Sequence, residues 1–264
     1  ISLGLVGSDM CIRDRHADGS DSLALEVAPR EHWPDLQVLI CVVNDAKKGT
    51  SSTAGMQRTV QTSPLLQHRI KHVVPERMER MRAAIAARDF SAFTDLTTAD
   101  SNNFHACCLD TAPPIFYMND TSRAIVMLIE ELNRARRAEG LDPLAAYTFD
   151  AGPNAVLYVR ERDAATLVGV VRHYFANADF DDTFNVLGQG AGASHRGLQA
   201  PAALPELPTS FNAGVIPEQE PGSVRRLIHT RVGDGPRVLE HGAGPNSLLQ
   251  AVGTPLRLQR HKRA

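Results

Sequence analysis

The chain has 264 residues, enough for one large domain or two small ones, and its charges nearly cancel at a formal net of -2. Near neutrality gives no electrostatic sign of a nucleic-acid binder, and no apolar run approaches the length of a bilayer span. Four cysteines without regular spacing suggest neither a disulfide framework nor a zinc site, so a reducing compartment, the cytoplasm, is the default expectation.

The opening stretch "ISLGLVGSDMCIRDR" lacks the order of a secretory signal, in which positive charge comes first and a small-residue cleavage site follows. Met10 to Asp14 reads Met-Cys-Ile-Arg-Asp, the translation of ATG TGT ATA AGA GAC, an end sequence used in transposase-based sequencing libraries. Residues 1–15 are therefore read as translated adapter and left out of fold reasoning, Cys11 included.

"LQVLICVV", Leu36 to Val43, is a continuous apolar run of strand length and reads as a strand buried on both faces. A polar loop with a glycine follows, in which Ser51, Ser52 and Thr53 stand where a helix can begin and free N–H groups need caps. A new cap is expected at Thr62-Ser63, before Pro64. Pro75 opens the next helix, with Met78, Met81 and Ile85 at three- and four-residue steps. Phe90, Phe93, Leu96, Phe104, Cys107 and Cys108 keep helical spacing until Pro113-Pro114 stops them.

Asp120 to Ser122 offers a cap for a helix whose apolar face is Ile125, Leu128, Ile129 and Leu132, ending at Gly140. "AYTFDAGPNAVLYV", Ala146 to Val159, reads as two strands joined by a Gly-Pro turn that opens with a carboxylate, Asp150. "ERDAATLVGVVRHYF" reads as a helix. From Asn185 to Gly222 the chain is rich in Gly, Ala, Pro and Ser with little periodicity, which predicts a mobile loop. "SVRRLIHTRVGDGPRVLE" returns as a strand, a Gly-Asp-Gly-Pro turn and a short extended piece, and residues 241–264 read as a flexible tail. Helices segregated from a few strands predict an α+β fold, a small antiparallel sheet backed by helices, in one domain over residues 16–240.

Several long stretches, in one order, carry a resemblance. "DSNNFHACCLDTAPPIFYMNDTS" (Asp100 to Ser122) and "YTFDAGPNAVLY" (Tyr147 to Tyr158) resemble the diphosphomevalonate decarboxylases. "SSTAGMQRTVQTSPLL", "VVPERM", "HWPDLQVLICVV" and "IHTRVGDGP" fit the same family, so the resemblance runs from about Asp18 to Glu240. It implies a GHMP-kinase type fold and a reaction in which mevalonate 5-diphosphate and ATP, with magnesium, give isopentenyl diphosphate, ADP, phosphate and carbon dioxide. It also implies a homodimer. The family's amino-terminal Lys-Tyr-Trp-Gly-Lys motif and its Ser- and Gly-rich ATP loop do not occur; the one tryptophan is Trp33, in "HWPDL". The chain therefore reads as the carboxy-terminal portion of such an enzyme, inactive in isolation. Within the superfamily, a mevalonate 3-kinase or a phosphomevalonate decarboxylase is the alternative, and a non-catalytic fragment is the alternative of another class.

The resemblance assigns roles to four residues. Asp150 matches the catalytic aspartate; a carboxylate there would orient the substrate's 3-hydroxyl or accept its proton during phosphoryl transfer. The ordinary alternative is an aspartate that hydrogen-bonds its own turn. Ser52, with Ser51 and Thr53 beside it, matches a serine that contacts the substrate diphosphate, and a helix start suits an anion. The ordinary alternative is a plain N-cap. Gly55 would let a backbone approach closely, and Met56 reads as packing. Lys47 and Lys48 could attract phosphate, though loop lysines are usually just solvated. Asn102, Asn103 and His105 read as polar residues of a packed helix, with His105 at the site's edge, and no second ligand pair completes a metal set. Tyr117, Met118 and Asn119 read as packing near the pocket, and Asn154 as satisfying the turn beside Asp150.

Overall fold

The computed structural model describes residues 26–43, 52–188, 190–201 and 205–233. The adapter-like start, Lys47, Lys48 and Ser51, the extended piece expected after the Gly-Asp-Gly-Pro turn and the tail lie outside the described residues.

The centre is β1 (Leu36–Val42), flanked on one side by β3 (Ala155–Arg160) and on the other by β6 (Arg226–Arg231). With β2 (Ala145–Phe149), β4 (Ala178–Asp182) and β5 (Ala193–Leu198) these make one six-stranded sheet in the order β2-β3-β1-β6-β4-β5. The pairing is antiparallel throughout except between β4 and β6, which run parallel. The sheet is thus larger than the few strands expected, and one pair departs from the antiparallel pattern. Those two strands are joined by a long connection that contains β5, as a parallel pair requires.

Strand alternation divides the core in two. Leu39, Cys41, Tyr147, Phe149, Leu157 and Val159 share one cluster with Ile125, Leu128, Ile129 and Leu132 of α5 (Asp120–Ala138) and Leu167, Val168 and Val171 of α6 (Glu161–Tyr174). Leu36, Val38 and Tyr158 turn the other way, to Met81 and Ala84 of α3 (Val74–Ala87) and Phe90, Phe93 and Leu96 of α4 (Phe90–Asp110). Trp33 seals this second cluster, edge-on to Phe90 at 6.5 Å and to Phe93 at 5.6 Å between ring centroids. Helices therefore cover both faces, and the double burial expected of β1 follows.

The local signals are mostly where the residues put them. Ser63 caps α2 (Pro64–His68), accepting from the Leu66 N–H, and Gly140, with φ +74, follows the end of α5. The start of α5 differs by one residue. Asn119 is its N-cap and Ser122 completes a reciprocal capping box, so Asp120 is already helical. The segment from 185 to 222 differs more. It forms β5 and a 3-10 turn at Ala213–Val215, and Leu207, Phe211 and Ile216 pack on the core. The buried Asp182 carboxylate accepts from the Val186 and Leu187 N–H groups, and Glu131 accepts from the Asn212 N–H at 2.7 Å. Order here comes from distant partners, which leave no period in the sequence.

Candidate active site

Asp150 is the first residue past β2, at the mouth of the β2–β3 turn, and it is exposed. Its main chain closes the turn: the Gly152 N–H donates to the Asp150 carbonyl at 2.7 Å. Its carboxylate accepts no hydrogen bond from the described residues, so backbone atoms make this turn and the side chain is left over.

The turn is fastened from three directions. Ser122 Oγ, in the first turn of α5, donates to the Pro153 carbonyl at 2.7 Å. Asn154 Oδ1 accepts from the Val43 N–H at 2.9 Å, at the end of β1. The Phe149 N–H donates to Ser101 Oγ of α4 at 3.1 Å. Asn154, expected to satisfy the turn beside Asp150, ties that turn to the end of the central strand. A group held by rigid elements on three sides is preorganised.

The "DSNNFH" stretch of α4 lies beneath. Asp100 takes a bidentate pair of bonds from Arg69, both 2.7 Å, and Asn103 accepts from Arg69 at 2.7 Å. Asn102 Nδ2 donates to the Tyr147 hydroxyl at 2.9 Å, and that hydroxyl donates to Glu130 Oε1 at 2.9 Å. His105 is 5% exposed, with its ring edge-on to Phe149 at 6.1 Å and to Tyr117 at 6.4 Å. Burial lowers its basicity, while hydrogen bonding to the Phe149 backbone and the charge of Asp150 pull the other way. Asn102 and Asn103 are the packed-helix residues expected. Ser101 went unnoticed in the sequence, and Ser122 was read only as part of a helix cap; their signals as turn anchors were the four-residue step from Ser101 to His105 and the N3 position of a capping box.

The "STAGM" stretch is the start of α1 (Ser52–Thr62). Ser52 is its first residue, and Thr53 is exposed in the first turn. A helix start carries partial positive charge and suits an anion. The far end of α1 is clamped to α4: Thr111 Oγ1 donates to Thr59 Oγ1 at 2.9 Å, and Ser63 Oγ donates to Asp110 at 2.7 Å. Near its start, Gly55 faces Tyr117. A Cβ at Gly55 would lie 2.3 Å from the Tyr117 hydroxyl oxygen, so no side chain fits while that hydroxyl stays. Tyr117 in turn touches His105, His105 touches Phe149, and Phe149 precedes Asp150. The structure thus links α1, the loop after Pro114 and the Asp150 turn, which the sequence offered as separate motifs. Cys107 and Cys108 are buried, and burial above all pushes the Cys108 thiol up to about 11.

Residues 38–239 match the family description "Mevalonate 5-diphosphate decarboxylase C-terminal domain". The chain belongs to that family. A diphosphomevalonate decarboxylase of Ganoderma lucidum is 55% identical over 240 residues, covering 90% of this chain and 56% of that relative. A crystal structure of mevalonate 5-diphosphate decarboxylase superposes with a TM-score of 0.66 at 37% identity, over 91% of this chain and 57% of the other. A structure described as "MDDEF in complex with MVAPP, AMPPCP and Magnesium" superposes at 0.52 and 29% identity, over 61% of this chain and 46% of the other. The chain therefore spans little more than half the length of the decarboxylases it matches. The six-stranded sheet backed by helices matches the structures of this family.

Proposed function

We propose that this chain is the substrate-facing, carboxy-terminal part of an ATP-dependent diphosphomevalonate decarboxylase. One observation carries the reading: a carboxylate free of hydrogen bonds from the described residues, on a turn held by α4, α5 and β1, in a chain of this family. In this reading Asp150 orients the 3-hydroxyl of mevalonate 5-diphosphate and accepts its proton as the phosphoryl group arrives. Once it has passed that proton to solvent, the carboxylate is negative again and favours the positive character that grows at C3 as carbon dioxide and phosphate depart. Ser52 and Thr53, with Ser51 before them, hold the diphosphate at the start of α1. Mutual repulsion keeps the diphosphate away from Asp150 and so sets the substrate's direction.

ATP and magnesium enter this reading as co-substrate and ion of the whole enzyme. Among the described residues no group of three or more His, Cys, Asp or Glu could hold a metal ion. None of them is assigned to the ion, which is commonly held through one or two carboxylates together with substrate phosphates. The chain alone is proposed to be inactive, and a cytoplasmic homodimer is proposed for the whole protein. No described helix is long and apolar enough to cross a membrane.

The test is product analysis with a full-length protein that carries this chain as its carboxy-terminal part. Mevalonate 5-diphosphate, ATP and magnesium should yield carbon dioxide, phosphate and isopentenyl diphosphate. Phosphorylation without carbon dioxide would make it a 3-kinase, and preference for the monophosphate would make it a phosphomevalonate decarboxylase. Absence of any turnover would make the chain non-catalytic.

A further inference from the structure

Tyr117 is a half-buried residue of the loop after Pro114. Its ring is well placed as filler, edge-on to His105 at 6.4 Å. Its hydroxyl is not filler. It makes no hydrogen bond within the described residues, yet it occupies the space a Cβ at position 55 would need, 2.3 Å from that Cβ. The ring carbon that bears it would lie 3.6 Å away, an ordinary contact. The hydroxyl alone therefore calls for a glycine in α1, at a cost in helix stability relative to alanine. A phenylalanine at 117 would keep the packing and remove that cost.

The surroundings state what the hydroxyl can do. Burial makes the phenol harder to ionise, and the nearby Cys108 thiol and the Asp150 charge add to this, while Arg58 opposes them. Tyr117 therefore stays a neutral O–H donor, set against the first turn of α1 at Gly55 and within electrostatic reach of Asp150 and Arg58.

We propose that Tyr117 is a substrate-binding residue whose hydroxyl donates a hydrogen bond to a phosphate oxygen of the substrate beside the first turn of α1. Gly55 is glycine because that hydroxyl must stand there. The inference rests on the functional reading above and adds to it a contact from a third motif. A phosphate contact of this kind is made in ground and transition states alike, so it acts on KM rather than on kcat.

The test uses steady-state kinetics of the full-length enzyme with mevalonate 5-diphosphate as the varied substrate. Tyr117→Phe should raise KM about 10-fold or more, as expected for a lost hydrogen bond to a charged group, with kcat within about threefold and an unchanged melting temperature. Gly55→Ala should raise KM too, by displacing the hydroxyl. In a Tyr117→Phe background the same alanine should add almost nothing, because the clash has gone. A KM for Tyr117→Phe within twofold of wild type would overturn the proposal, as would a loss confined to kcat. An alanine penalty of equal size in both backgrounds would overturn the explanation of Gly55. If Gly55→Ala does not fold, the Tyr117→Phe result decides alone. An inactive wild-type enzyme would count against the decarboxylase reading, whereas a wild-type KM in an active Tyr117→Phe enzyme counts against this inference only.

Discussion

Ser122 Oγ donates to the carbonyl of Pro153 at 2.7 Å, and so fastens the turn that carries Asp150 to the first turn of α5. The same hydroxyl lies 3.0 Å from the side-chain oxygen of Asn119, which caps the helix. One residue thus caps a helix and anchors a turn. The proposed chemistry depends on that turn being rigid, and the first two predictions separate the carboxylate from its support.

Asp150→Asn keeps the size of the side chain and leaves the Gly152-to-Asp150 main-chain bond in place. It removes the charge and the ability to take a proton. In the full-length enzyme kcat should fall on the order of 10²–10⁴-fold, the range for loss of a positioned acid or base. KM and melting temperature should stay close to wild type. A folded, substrate-binding variant with near-normal kcat would leave Asp150 as turn chemistry only.

Ser122→Ala removes the turn anchor and half of a capping box together. A lost cap and a lost buried hydrogen bond should destabilise the chain by about 1–2 kcal/mol. Ser122→Thr keeps the hydroxyl and should recover most of that. Denaturant unfolding of the three proteins measures it. Equal stability of Ser122→Ala and wild type would show that the anchor contributes nothing.

Arg69 is 8% exposed and is satisfied by Asp100 and Asn103. Burial alone would raise the Asp100 carboxyl, but the hydrogen bonds and charges of Arg69 and Arg77 outweigh it and hold the pKa below its ordinary value. A carboxyl depressed on folding stabilises the fold above its unfolded pKa, about 3.9, and that stabilisation is lost as pH falls through the lower folded value. Asp100→Asn should therefore cost roughly 2 kcal/mol at neutral pH, by leaving a buried guanidinium without its anion. It should also flatten the acid limb of the stability curve below about pH 4. Melting curves from pH 7 to pH 3 test both parts; a parallel acid limb in the variant would contradict the second.

His229 is 1% exposed, and its Nε2–H donates to Gln37 Oε1 at 2.8 Å while Nδ1 has no partner among the described residues. Burial lowers its pKa, and the charge of Asp182 only partly offsets this. The unfolded chain then takes up protons first, from about pH 6.5 downward, so stability is lost as pH falls from there through the folded value. His105 acts in the same direction. The melting temperature should drop between pH 7.5 and pH 5.5, and His229→Gln, which can still donate to Gln37, should show a shallower drop. An unchanged slope would mean that His229 does not titrate in this range.

Apolar spacing and capping chemistry placed the helices to within a residue or so: Ser63 before Pro64, the α4 run from Phe90, the apolar face of α5 and the two strands around Asp150. Those signals are local, because a helix or strand satisfies most of its backbone through near neighbours and needs only one face to be apolar. The family, too, was legible from its motifs, and membership in it is the ground on which roles are proposed for Asp150 and for Ser51, Ser52 and Thr53.

The surroundings of Asp150 were not legible, because they depend on partners far along the chain. Ser122 and Pro153 are 31 positions apart, and Val43 and Asn154 are 111 apart. Gly55 and Tyr117 meet only because clamps to the end of α4 fix where α1 lies. The same holds for the 185–222 segment, whose residues pack without a period, and for β6, which enters the sheet between β1 and β4 and makes its one parallel pair. The sequence by itself determined which stretches are helix and strand and which carboxylate stands in the turn. Only the tertiary structure decided what holds that carboxylate and what faces it, since a contact between distant residues exists only once the surfaces that bring them together are packed.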